Sequence, residues 1–343
     1  MLGGTQRLRV SSQSLKRSWR DSEVFERGVG VENKGARTLK VAQKRVYDPL
    51  IAAEVSEEKA LAAAQTVRQA FESKPKGKDD ETPAADEPKA KGKAAKKVDP
   101  VKELATSQLI FVSPRQLQLI EGYVARVTKG EKLDDAQVKT ELLTNDGLGA
   151  DVALFGRMMS ANAQFTVEAA AQVAHAITVH KVTVEDDYFS AVDDLNSGAD
   201  DAGAGHIGTN EFAAGLYYLY FVIDRTLLEK SLKGDKELAA KAIRAVVESA
   251  CTVSPTGKKA TFGSFARASF ALAEKGSQQP RGLSTAFIKS VTGDDFVDVA
   301  ITRLGAARAS METVYGKCAD EVVEFNAHEG TGSLSALLDF VAK

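Results

Sequence analysis

GGTQRLRVSSQSLKRSWR, residues 3–20, is the stretch that decides how this chain is read. A glycine pair leads into a short strand in which Arg7 and Arg9 alternate with apolar residues. Ser11 and Ser12 then open a helix that carries Lys16, Arg17 and Arg20. A cap hydroxyl, open N–H groups at a helix start and clustered cations together form a receptor for backbone phosphates. Gln13, Lys16 and Arg20, at i, i+3 and i+7, are predicted to share one helical face.

The chain has 343 residues, enough for one large domain or two moderate ones. Its 43% apolar and 27% charged content is that of an ordinary globular protein. There is no apolar run long enough to span a bilayer and no signal-peptide pattern at the start, so a cytoplasmic protein without a membrane partner is expected. Cys251 and Cys318 are the only cysteines. Two isolated thiols suit a reducing compartment and are expected to pack as small hydrophobes. The net charge is −2, but its distribution is uneven. Residues 1–45 hold eleven Lys/Arg against four Asp/Glu, which leaves −9 for the remainder. Residues 182–211 hold eight acids and no Lys or Arg. A basic pole and an acidic stretch allow a polyanion to bind at one place and a second copy to dock at another.

Along the chain, a first strand-and-helix unit covers residues 6–24, and Gly28-Val29-Gly30 interrupts the pattern. Residues 57–72 read as an Ala-rich helix capped by Ser56, with Leu61, Ala64, Val67 and Phe71 inward. Residues 74–100 are almost free of apolar side chains and are expected to be disordered. A strand at 109–112 precedes the capping box Ser113-Pro114-Arg115-Gln116, whose helix turns Leu117, Ile120, Val124 and Val127 inward. A helix at 134–143 follows. Strands are predicted at 152–156, 173–184, 216–223 and 261–271. Helices are predicted at 236–249 and 294–315, the latter with Val297, Ile301, Leu304 and Met311 facing a core. The pattern is α+β.

Several motifs fail on inspection. Gly203-Ala204-Gly205-His206-Ile207-Gly208 matches G-x-G-x-x-G, but it follows an acidic loop and precedes a strand, which does not suit a dinucleotide. Residues 200–211 have the length of an EF-hand loop, but Ala202 and Ala204 cannot ligate calcium. Gly257-Lys258-Lys259 lacks the rest of a P-loop. His175 and His180 fall on opposite faces of a strand and do not form a metal pair. The pairs Asp186-Asp187, Asp193-Asp194 and Asp200-Asp201 are carboxylate clusters that suit acidic turns or, as an alternative, magnesium.

Taken in order, several blocks resemble one family, the CasC backbone subunit of type I-E CRISPR Cascade surveillance complexes. These are RLRVSSQSLKRSWR at 7–20, DVALFGRM at 151–158, AHAITVH at 174–180, FSAVDDL at 189–195 and GHIGTNEF at 205–212. The resemblance implies an α+β fold with a modified ferredoxin-like (RRM-type) palm, a helical finger insertion and a β-hairpin thumb. It divides the chain into a basic palm segment at 1–30, fingers at 31–172, and a continued palm at 173–343 with the thumb at about 194–223. Family members begin with a palm strand before the Gly pair, so the first palm strand is expected to be missing here.

The resemblance also implies a role. Copies line up head to tail along one CRISPR guide RNA, hold its sugar–phosphate backbone, and leave base edges free to pair with target DNA. Such a subunit does not cut, has no cofactor, and works beside other Cascade subunits. A protein that delegates sequence reading to pairing needs backbone contacts and no base code. Palm contacts are expected from Arg7, Arg9, Ser11, Gln13, Lys16, Arg17 and Arg20. His206 and Thr209 belong to the thumb. The family's apolar wedge follows the GRM block, where Phe165 is the candidate. Two alternatives stay open: a metal-dependent RNase of a type III-like backbone, and a single-strand RNA-binding protein outside CRISPR systems.

Overall fold

The structure, a computed structural model, describes residues 1–72, 100–159, 162–191 and 206–343. In chain order the elements begin with β1 (Arg9–Val10), α1 (Ser12–Arg20), α2 (Glu23–Val29), β2 (Ala36–Thr38), α3 (Asp48–Ala52) and α4 (Glu57–Phe71). Next come β3 (Ile110–Val112), α5 (Pro114–Thr128), α6 (Asp135–Leu142), α7 (Ala150–Phe155), β4 (Ala171–Val173) and β5 (Ala176–Thr178). β6 (Glu185–Ala191), β7 (His206–Phe212), β8 (Tyr217–Tyr218), β9 (Phe221–Ile223), α8 (Arg225–Ser231) and α9 (Lys236–Thr252) follow. The chain closes with α10 (Lys259–Phe262), β10 (Phe270–Lys275), α11 (Phe296–Tyr315), β11 (Glu321–Asn326) and α12 (Leu334–Ala342).

Two main cores organise these elements. The first joins both ends of the chain: Leu15, Trp19 and Phe25 from α1 and α2 meet Leu154, Leu228, Val246, Phe325 and Leu337. Helix α9 supplies its centre because Ala239, Ala242, Ile243 and Val246 recur at helical spacing and are all buried. The second core gathers Leu50, Val67, Leu104, Ile120 and Leu142 from the middle of the chain. Its α5 starts on the capping box expected from sequence. Ser113 Oγ accepts from Gln116 N–H at 3.2 Å, and Gln116 Oε1 accepts from Ser113 N–H at 2.9 Å. Helix α4 buries Ala60, Ala64, Val67 and Phe71, while Leu61 is only half-buried and Ser56 makes no side-chain cap bond.

Strand β5 lies between β1 and β8, antiparallel to both. The same ladder continues as β4 against β9, but its register shifts by one residue between Val173↔Phe221 and Ile177↔Tyr218. That shift is a β-bulge, and it splits each of the two expected long strands, 173–184 and 216–223, into two short ones. β10 pairs with β11, β2 with β3, and β6 with β7. This is a mixed α/β architecture with small sheets.

Other expectations need correction. Residues 152–155 of the expected strand 152–156 are helical, not extended: α7 is buried from Ala150 to Leu154 and bounded by Gly149 and Gly156, both at positive φ. A short apolar run buried on every side has no period to separate helix from strand. Residues 261–271 are not one strand; the helical turn α10 comes first, and β10 starts only at Phe270. In α11 only Ala300 is fully buried, and Val299 and Leu304 pack beside it on Val179, Phe287 and Val291. The hairpin present is β6–β7, whereas residues 217–223, expected in the thumb, pair with β4 and β5 instead. The expected disordered stretch lies outside the described residues except Pro100, as do Asp193, Asp194, Asp200 and Asp201.

Cys251 is buried in the first core, and desolvation with Glu248 nearby pushes its thiol up to about 11. It is unreactive at neutral pH. Cys318 is only half-buried, which departs from the expected packing of both thiols. Among the described residues, no helix is long and apolar enough to cross a membrane.

Candidate nucleic-acid interface

The opening block folds as its sequence suggests. Ser11 caps α1, its hydroxyl accepting from Ser14 N–H at 3.2 Å. Among the described residues, the N–H groups of Ser12 and Gln13 find no acceptor, so they are the open donors of the first turn. Gln13 and Arg17 are exposed and Lys16 is half-buried. Arg17 makes one solvent-exposed contact, Nε to Asp21 Oδ2 at 3.6 Å, which holds it only weakly. Lys16 and Arg9 have no ion pair among the described residues.

Arg9 is exposed on β1 and lines an open cavity of about 460 Å³. His175, Tyr218, Tyr220, Ser284 and Thr285 share its wall. Tyr218 Oη accepts from Leu283 N–H at 2.9 Å, and burial pushes its phenol up to about 12, so it stays protonated. One cation, hydroxyls and aromatic edges beside a helix N-terminus suit a sugar–phosphate chain.

Two of the expected contacts are committed elsewhere. The Arg20 side chain is turned into the protein, with the residue only 9% exposed. Its Nε and Nη2 donate to Asp151 Oδ2 at 2.9 and 2.8 Å, and Nη2 also donates to the Gly35 carbonyl at 3.0 Å. Nη1 reaches Asp21 Oδ1 at 3.0 Å, and Asp151 Oδ1 accepts from Gly35 N–H at 3.0 Å. Helical spacing places Arg20 beside Lys16. It cannot show a buried carboxylate 131 residues away. Arg7 likewise straps backbone together: its guanidinium donates to the carbonyls of Thr178 (2.7 Å) and Phe287 (3.0 Å) and to Thr5 Oγ1 (2.8 Å).

The GRM block is also partly structural. Arg157 is 2% exposed. It donates to Gln116 Oε1 (2.9 Å), Asn145 Oδ1 (2.9 Å) and the Phe165 carbonyl (3.2 Å). With no carboxylate among these partners, desolvation lowers its pKa to about 10. Phe165 itself packs, half-buried, against the second core. The exposed apolar side chain of this block is its last residue, Met158, 84% exposed. Nothing in the sequence separates it from Phe165, because the anchoring of its neighbour Arg157 is visible only in the structure.

On the hairpin, His206 and Thr209 point to opposite faces. Residues alternate along a strand, and the register pairs His206 with Ala191 and Thr209 with Tyr188. The His206 ring lies against Phe189, 5.8 Å between centroids. Gly208 is required there: a Cβ would come within 2.6 Å of the Phe189 ring. Tyr188, Ile207 and Thr209 form the other face, with Tyr188 and Ile207 well exposed. His180 and His175 do not meet as ligands. His180 Nε2 accepts from Leu216 N–H at 3.0 Å and its ring stacks on Phe296. Among the described residues, the grouping with metal-type side chains is Asp295, Asp298 and His328, at the start of α11 and the turn after β11.

The chain belongs to the CT1975-like protein family, a Cas7/CasC-like group, whose match covers residues 1–338. Among solved structures, the fold is similar to a chain of a "CRISPR RNA-guided surveillance complex, pre-nicking", with TM-score 0.78 and 24% identity, over 99% of this chain and 91% of that one. It is also similar to a chain of a "CRISPR RNA-guided surveillance complex", with TM-score 0.64, 20% identity and the same coverage. No curated protein matches.

Proposed function

We propose that this chain is a backbone subunit of a CRISPR RNA-guided surveillance complex. It holds the guide's sugar–phosphate backbone on β1 and the start of α1, stacks head to tail with its own copies, and leaves bases free for target DNA. It holds RNA without cutting it. The observation that carries this reading is a pair of cations, Arg9 in the cavity wall and Lys16 on α1, neither ion-paired among the described residues. Family membership and the shared fold support it. In this reading α1, α2, α9 and the β1–β5–β8 sheet are the palm, the second core is the fingers, and β6–β7 is the thumb. The chain, co-expressed with a CRISPR array and the other complex subunits, is expected to carry RNA of uniform length that survives incubation with magnesium. Absent RNA, or RNA cut at regular intervals, would overturn the reading.

Met158 takes the wedge role in place of Phe165. Its thioether side chain projects from an anchored backbone, where it can slip between bases. Met158→Ala is expected to leave folding stability unchanged. It should quench the fluorescence of 2-aminopurine placed at the displaced guide position, because the base restacks. Phe165→Ala should instead lower stability and leave that signal intact. The opposite pattern would return the role to Phe165.

A further inference from the structure

We propose that the loop at residues 256–267 is a second contact for single-stranded nucleic acid, separate from the palm surface and set at the foot of the β6–β7 hairpin. The assignment rests on the guide-binding reading for the presence of RNA, but it names a different surface. Between Glu248 and Glu274 the chain has no acid and three cations, Lys258, Lys259 and Arg267. None has a carboxylate partner among the described residues. The same loop leaves two large aromatic rings in solvent, Phe262 at 41% and Phe265 at 74% exposure. Lys259 Nζ sits 4.4 Å from the centroid of Phe265, and Lys258 Nζ 5.5 Å from that of Phe262.

The loop is held in place. Phe262 packs on Phe212 of β7, 4.8 Å between centroids, and Lys258 Nζ donates to Asn210 Oδ1 at 3.1 Å. Ser254 Oγ donates to the Ser264 carbonyl at 3.0 Å. Lys258 adopts a left-handed conformation, φ 52°, which costs a non-glycine residue energy and keeps the turn tight. Phe265 and the lysines are therefore presented on a fixed support, whose β7 contacts, Asn210 and Phe212, lie one and three residues along from Thr209.

Ammonium groups with no carboxylate partner among the described residues, next to exposed rings, match one ligand chemistry: phosphates for the cations and unstacked bases for the rings. Three cations and two rings are too few to hold a membrane surface. A duplex hides its bases from such rings, so the occupant is single-stranded.

The test is fluorescence anisotropy of the full chain with a fluorescein-labelled single-stranded RNA, across a salt series. Phe265→Ala is expected to weaken binding about tenfold without changing the salt slope. Lys258→Ala with Lys259→Ala should weaken it and flatten the slope of log K against log salt by about 1.4. Ultraviolet cross-linking should attach a nucleotide to the tryptic peptide 260–267. Variants that bind like the wild type, or cross-links confined to residues 1–20, would overturn the assignment. So would loop variants that change only self-association in light scattering. If Arg9→Glu with Lys16→Glu loses binding while the loop variants keep it, only the loop assignment fails. A wild-type chain that binds no RNA fails the guide-binding reading as well.

Discussion

Replacing Asp151 by alanine is expected to cost about 3–5 kcal/mol of folding stability. The carboxylate is fully buried, and it holds the Arg20 guanidinium with two contacts at 2.8–2.9 Å. Its other oxygen takes the Gly35 N–H. Three distant segments meet at this point: the end of α1, the approach to β2 at Gly35, and the start of α7. Removing the acid strands a buried cation and a buried N–H together. Chemical denaturation followed by circular dichroism measures the loss. The double variant Arg20→Met with Asp151→Asn should recover much of it, because it removes both charges, roughly keeps the volume and leaves an amide oxygen for the Gly35 N–H. A loss under 1 kcal/mol for Asp151→Ala would show that the pair is not what fastens these three segments together.

Reversing Arg9 and Lys16 together, Arg9→Glu with Lys16→Glu, should lower affinity for single-stranded RNA on the order of a hundredfold and leave the fold intact. Neither side chain has an ion-pair partner to lose among the described residues. Each substitution replaces a phosphate contact with repulsion. Arg20→Glu would behave differently. It would set two carboxylates against each other in a buried place, so it would unfold the chain before it informed on RNA. Anisotropy titrations, with circular dichroism confirming the fold, separate the two cases. Full affinity in the folded Arg9/Lys16 variant would remove the palm surface from the binding site.

How much of this was legible in sequence depended on how local each feature is. The cap at Ser11, the box at Ser113 and Gln116, and the Ala-rich helix α4 are written within a few residues, and all three helices formed. The cationic block was legible as a cluster of charge, but the partners its side chains take were not. Among the described residues Arg9 and Lys16 make no ion pair, whereas Arg7 and Arg20 are consumed by Thr178, Phe287, Gly35 and Asp151, which lie 15 or more residues away in sequence. Helix α7 was misread because an all-buried run carries no period. The bulge between β4 and β5 was invisible for the same reason: register is set by pairing with β8 and β9. Met158 and Phe165 were separable only once Arg157 was seen to pin the backbone beside them and the second core was seen to take up the phenylalanine.

The most direct measurement is the salt dependence of RNA binding by the wild type and by Arg9→Ala with Lys16→Ala. Each phosphate neutralised on a single strand contributes a slope of about −0.7 in log K against log salt. The expected result is a slope shallower by about 1.4 in the double variant, with an unchanged circular dichroism spectrum. Parallel slopes with equal affinity would contradict guide binding at the palm.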